Sequence, residues 1–236
     1  MPAFEQITPH IYKLDLPFVN GYIPVGVWLV QEATGWTVVD AGAPEHEELV
    51  LEQILKQTGG VHPRYLLITH GHIDHAGAAA LLRERWEVMI AAGRAEMPYL
   101  LGQERYNRVP ADNWVYPLLQ LSPPLLYGRN VQLPLDEGMV IGSLEAYHAP
   151  GHAPGMMAYL HREDRALICG DVFMNLKDRL SDPYALFTYD MALNRQSQAK
   201  LLELEFDHLL VSHGPPLMKM GRAKARTFVT ERGKRR

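Results

Sequence analysis

The sequence predicts an α/β layered fold in which helices cover the faces of β-sheet. Short runs rich in Val, Ile and Leu recur along the chain and are bounded by Gly, Pro and Asp, as strands are. Between several of them lie longer stretches whose apolar residues return every three or four positions, the spacing of a helix with one buried face.

The elements follow in order. Val25-Gly-Val-Trp-Leu-Val-Gln31 and Trp36-Thr-Val-Val39 read as strands, and residues 43–58 as a helix with Leu49, Leu51, Ile54 and Leu55 on one stripe. Tyr65–Ile68 is a third strand, 76–86 a second helix and Val88–Ala91 a fourth strand. Residues 98–134 break the rhythm: they hold Tyr99, Tyr106, Trp114, Tyr116 and Tyr127 with weak periodicity. That segment is expected to be an irregular insertion, serving either as a plain connection or as a wall beside the chemistry. Ala166–Cys169 and His208–Val211 are further strands, 194–205 a third helix, and the tail from Gly221 a basic helix.

Composition narrows the function classes. The 236 residues are 47% hydrophobic and 21% charged, ordinary for a globular chain and sufficient for one domain of two packed αβ halves over residues 1–236. A net charge of -4 offers no bulk attraction to a polyanion. No apolar run approaches the ~18 residues of a membrane span, and the N-terminal stretch lacks the pattern of an export signal. The single cysteine, Cys169, excludes an internal disulfide and fits a reducing compartment, so a cytoplasmic location is expected.

One stretch carries the chemistry. Directly after the strand Tyr65–Ile68 come His70, His72, Asp74 and His75, four ionisable groups in six residues. An isolated histidine is more often structural than a ligand, but this density reverses that preference, because neutral imidazole and carboxylate suit a divalent ion. Other strand ends and turns supply more candidates: His152 in Pro-Gly-His-Ala-Pro-Gly, Asp171 in Cys-Gly-Asp and His213 in Ser-His-Gly. Seven candidate ligands exceed what one tetrahedral ion takes. Two ions sharing a carboxylate would use them all.

The ordered set His-x-His-x-Asp-His, Pro-Gly-His, Gly-Asp and Ser-His-Gly resembles the metallo-β-lactamase-fold hydrolase superfamily, which includes glyoxalase II-like thioesterases and lactonases. The resemblance spans nearly the whole chain, from Asp40-Ala-Gly42 to Gly214. It implies an αββα four-layer sandwich of two mixed sheets flanked by helices. It implies that His70, His72 and His152 hold one ion, that Asp74, His75 and His213 hold the other, and that Asp171 bridges them. Asp40 matches a supporting aspartate, and a supporting place is also considered for His148.

Two such ions, zinc in the first place with iron, manganese or cobalt as alternatives, would lower the pKa of a bridging water toward neutrality and polarise a carbonyl. The expected reaction is hydrolysis of an activated acyl compound such as a lactone, ester or thioester. Asp74 and Asp171 would take part in activating the water, and Tyr184 and Tyr189 are candidates to assist the substrate. Cys169 is expected to be an inert core thiol. Alternatives are iron-dependent persulfide dioxygenation, lactam hydrolysis and, in last place, RNA processing suggested by the basic tail. The expected partner is a small molecule, with no nucleic acid or membrane; a homo-oligomer remains open. The remaining histidines do not match ligand positions, and His46 and His62 are expected at the surface.

Overall fold

A computed structural model of the chain describes residues 2–18, 21, 23–104, 106 and 131–234. Trp114, Tyr116 and Tyr127, and with them most of the expected pocket wall, lie outside the described residues. The larger sheet holds β1 (Glu5–Gln6), β2 (Ile11–Phe18), β3 (Ile23–Glu32), β4 (Gly35–Val39), β5 (Tyr65–Ile68), β6 (Met89–Gly93) and β7 (Val131–Leu135), paired in that order. It is antiparallel from β1 to β4 and parallel from β4 to β7. The smaller sheet takes up β8 (Val140–Ile141), β9 (Leu144–His148), β10 (Met157–His161), β11 (Ala166–Ile168) and β14 (His208–Leu210), in the order β14-β11-β10-β9-β8. A separate hairpin joins β12 (Met174–Leu176) to β13 (Arg179–Ser181).

Alternation of side chains builds the layers. Val38, Leu66 and Ile68 face one way, into a core shared with Val50 and Ile54 of helix α1 (Glu47–Thr58) and Leu82 of α3 (Ala79–Trp86). Their neighbours Val39 and Leu67 face the other way and meet Tyr159, Ile168 and Leu210 of the smaller sheet. Leu160, Leu167 and Leu209 in turn cover a third core with Leu201 of α5 (Met191–Leu201) and Ala225 of α6 (Gly221–Lys234). A strand period of two thus feeds two separate cores from each central strand. The result is helix, sheet, sheet, helix: the αββα sandwich.

Several boundaries differ from the sequence reading. The α1 stripe centres on Val50 and Ile54, with Leu49 only partly buried. The helix expected over 76–86 is two pieces, α2 (Ile73–Ala76) and α3. They break at Gly77, where a Cβ would lie 2.4 Å from the Ile73 carbonyl oxygen and from the Pro44 ring. Helix α5 starts three residues early because Asp190 caps it, accepting from the amides of Ala192 and Leu193. The expected irregular insertion yields an ordered element at each end: α4 (Met97–Leu100) and β7, whose Pro134 is tolerated on a sheet edge. The basic tail is a docked helix, with Phe228 and Val229 against the third core and Arg222 and Arg226 bonded to the Leu202 carbonyl.

Both sheets deliver the carboxyl ends of parallel strands to one edge of the sandwich. Asp40 follows β4, His70 follows β5, Asp171 follows β11 and His213 follows β14. That is where an open α/β sheet characteristically binds its ligand.

Candidate metal centre

Asp40 organises the first loop. Its backbone is left-handed, with φ of 60°, and its carboxylate is fully buried. Oδ1 accepts the Thr69 amide at 2.8 Å, while Oδ2 accepts the Thr69 hydroxyl and Nδ1 of His75, each at 2.8 Å. The Thr69 hydroxyl, having donated to Asp40, accepts from Nδ1 of His70 at 3.1 Å. Outer partners therefore hold Nδ1 of both rings, and Nε2 of His70 and of His75 is the atom turned inward.

The same device recurs at the other two histidine loops. Nδ1 of His152 donates to the Thr188 hydroxyl at 3.1 Å, and that hydroxyl donates to the Tyr184 carbonyl. Nδ1 of His213 donates to the Pro24 carbonyl at 2.8 Å. His72 reverses the sense and turns Nδ1 inward, 3.0 Å from Nε2 of His70 and 3.0 Å from Nε2 of His152. Three ring nitrogens from two loops therefore converge on one point.

A second group lies beside it. Nε2 of His213 is 3.1 Å from Oδ2 of Asp171 and 3.3 Å from Oδ2 of Asp74, and Nε2 of His75 is 3.4 Å from Oδ1 of Asp171. Oδ2 of Asp171 also lies 3.4 Å from Nε2 of His152, so one carboxylate touches both groups. Asp171 reaches this place from a tight turn at Gly170, where φ is +52° and a Cβ would meet the Met156 side chain at 2.7 Å.

The electrostatics divide along the same line. Burial lowers the pKa of His72 to about 4 and that of His152 to about 3, and drives His70 well below its ordinary value. Burial acts the same way on His213, but the carboxylates of Asp171 and Asp74 prevail and push it up to about 10. His75 is raised well above its ordinary value against the same burial by Asp171, Asp74 and Asp40. Against burial, His75 and His213 bring Asp74 down to about 2, and the same two histidines hold Asp171 well below its ordinary value.

A pair of divalent ions fits this donor set. Nε2 of His75 and Oδ1 of Asp171 are buried and make no hydrogen bond, and three imidazole nitrogens face one another at 3.0 Å, where a single proton on His72 Nδ1 would serve at most two of them. The triads His70, His72, His152 and Asp74, His75, His213 each keep their ligand atoms within 4.8 Å of one another. Orphaned lone pairs of this kind are costly unless a cation meets them.

Other candidates fall elsewhere. His148 ends β9, where its amide donates to Glu137 and its carbonyl accepts from Lys200; among the described residues no bond ties it to the centre. Tyr184 is 46% exposed, and its carbonyl accepts from Thr188. The Tyr189 amide donates to the His152 carbonyl. Cys169 is buried, and burial pushes its thiol well up. His62 is exposed and stacks on Trp86, whereas His46, expected at the surface, is buried beneath the start of α1. Sequence reasoning passed over Thr69, Thr188 and Glu96. Only Glu96 left a signal, as an acid following the strand Val88–Ala91, at the third parallel strand end in a row.

An αββα sandwich with a histidine and aspartate centre at its strand ends defines a class of metal-dependent hydrolases. Residues 21–213 match the model of the metallo-beta-lactamase superfamily, and the chain belongs to it. The fold implies a dinuclear divalent metal centre. The chain is 30% identical over 219 residues to the probable metallo-hydrolase YybB of Bacillus subtilis, covering 91% of this chain and 92% of that protein. It is 31% identical over 190 residues to the acyl-coenzyme A thioesterase MBLAC2 of Gallus gallus, covering 72% of this chain and 65% of the relative. Among solved structures, TTHA1623 in a di-iron-bound form superposes with a TM-score of 0.66 at 26% identity, covering 90% of this chain and 99% of the other.

Proposed function

We propose that this chain is a dinuclear metallo-hydrolase of activated acyl compounds, a thioester, ester or lactone of small-molecule size. His70, His72 and His152 hold one divalent ion, Asp74, His75 and His213 hold the other, and Asp171 is shared. The observation behind this reading is the inward convergence of five imidazole nitrogens and two carboxylates, four of the rings having their outward proton already committed. Ions bound there supply acidified water and an electrophile for a carbonyl oxygen.

The chain's own residues supply preorganisation. Asp40, Thr69, Thr188 and the Pro24 carbonyl hold four of the five rings in fixed orientation, so those donors need not reorient during the reaction. Asp74 is the carboxylate we assign to hold the proton released from water. Its side chain is 11% exposed against 3% for Asp171, which gives it the contact with solvent that a returning proton needs. A thioester leads the substrate classes on the similarity to an acyl-coenzyme A thioesterase. Zinc suits the donors, and iron has support from the di-iron form of a structural relative.

Metal quantification joined to a hydrolysis screen tests the proposal. Two ions per chain and turnover of a thioester, ester or lactone are expected, with His72→Ala losing one ion and most of the turnover. Turnover of phosphodiesters alone, or oxygen uptake with one iron per chain, overturns it.

A further inference from the structure

Glu96 follows β6 in the short turn before α4, and its side chain is entirely buried. Its three contacts are specific. Oε1 accepts the Gly71 amide at 2.8 Å, Oε2 accepts the Gly155 amide at 2.7 Å, and the Tyr106 hydroxyl donates to Oε1. Gly71 stands between His70 and His72, and Gly155 is the third residue after His152. One carboxylate therefore clasps the two loops whose imidazoles make the three-histidine group.

The surroundings are cut to this contact. A Cβ on Gly155 would lie 1.9 Å from the Glu96 backbone nitrogen, and a Cβ on Gly71 would lie 2.3 Å from the Tyr106 hydroxyl oxygen. Both glycines permit an approach that no side chain allows. The Tyr106 ring then stands edge-on to His72, with centroids 4.9 Å apart. A buried carboxylate without a cation is an expensive way to fill space, and here none of its bonded donors is a cation. What it does that an apolar side chain cannot is bind two backbone amides from separate loops at once.

We infer that Glu96 is the positioning residue of the three-histidine site, setting the distance between the His70–His72 loop and the His152 loop, with Tyr106 fixing the carboxylate. This inference rests on the two-metal reading above. It makes a selective demand: loss of Glu96 loosens one ion and spares the other, because the Asp74, His75 and His213 group is held from elsewhere, by Asp40 and the Pro24 carbonyl.

The test is zinc titration of the full chain against a chromogenic chelator, for wild type, Glu96→Ala, Glu96→Gln and Tyr106→Phe. His72→Ala and His213→Ala mark the loss of either ion, and Asp164→Asn, remote from the centre, serves as the control for general destabilisation. Glu96→Ala should weaken one ion by about 10–100-fold, the range for loss of an outer partner of metal ligands, and should mimic His72→Ala. Glu96→Gln keeps one acceptor and should lie between, and it remains informative if the alanine variant does not fold. Equal weakening of both ions alongside a lowered melting temperature of the metal-free chain overturns the inference, because that is the pattern of a purely structural residue. Wild-type affinities for both ions in the glutamate variants overturn it alone. A wild-type chain that takes up neither zinc nor, in a parallel anaerobic titration, ferrous iron overturns the two-metal reading and the inference with it.

Discussion

Two clusters of histidine and aspartate lie at opposite ends of β11, and they differ in where their ligand atoms point. In the metal centre, outer partners hold Nδ1 of His70, His75, His152 and His213, which turns each Nε2 inward. At the far end His10, His161 and Asp164 also bring potential ligand atoms within 4.8 Å. There the groups satisfy one another. Asp164 accepts the Thr8 hydroxyl, the His10 amide at 3.0 Å and His10 Nδ1 at 2.7 Å, and its own amide donates to Nδ1 of His161 at 3.1 Å. Proximity of ligand-type residues therefore does not make a metal site. Buried ligand atoms turned inward and left without a partner, such as His75 Nε2 and Asp171 Oδ1, do, and the second cluster is better read as a clasp between β2 and the β10–β11 turn.

Substitution at the heart of the centre should give the largest effect. Asp171→Asn removes the shared charge and leaves His75 and His213 without their main counter-ion. Metal content should fall below two per chain, and turnover should drop by more than the roughly 10–100-fold typical of an outer partner. Elemental analysis and steady-state rates check this; retention of both ions would break the contrast between the clusters. Asp40→Asn comes next. The Thr69 backbone amide can only donate and claims the one remaining oxygen, so the new NH2 faces Nδ1 of His75 and pushes that ring toward the tautomer that turns a proton inward. A loss of about 10–100-fold in affinity for the ion held by His75 is expected, read by chelator competition.

The sequence and the structure agree most where spacing is tight. His70, His72, Asp74 and His75 are legible because four ligand types in six residues have no bland explanation, and Asp171 and His213 because each follows an apolar strand through a Gly or Ser. The two-sheet architecture is less so. Strand β10 shows no periodic run, since Tyr159 and Leu160 belong to different cores and both are buried, which erases the alternation. The outer partners were least legible. Thr69 and Thr188 act through a single hydroxyl, Pro24 through a carbonyl that every residue possesses, and Glu96 through contacts to loops 25 and 59 residues away. No local pattern encodes such pairings.

The smallest expected effect on the chemistry, and the sharpest test of the comparison, is Asp164→Asn. Metal content and turnover should match the wild type, because the clasp contributes no inward lone pair. Stability should fall by about 1–3 kcal/mol, the cost of leaving buried donors such as the Thr8 hydroxyl poorly met. The deficit should also depend on pH. His10 faces Asp164, Glu163 and Glu32, and its hydrogen bond to Asp164 raises its pKa over the opposing effect of burial. A group raised on folding contributes fully below its unfolded pKa of about 6.5 and loses that contribution as pH rises through the folded value. Asp164 is held below its ordinary value by Thr8 and His10 in spite of burial, so its own contribution is complete above about pH 4 and lost in acid. His161 runs opposite to His10, because burial lowers its pKa, but Asp164 favours the charged form of both rings. The melting-temperature gap between wild type and Asp164→Asn should therefore be widest near pH 5–6, at about the window between those two values, and should narrow as pH rises through the folded value of His10. A gap that stays constant across this range, or a variant that loses an ion, would mean that the second cluster works as the first does.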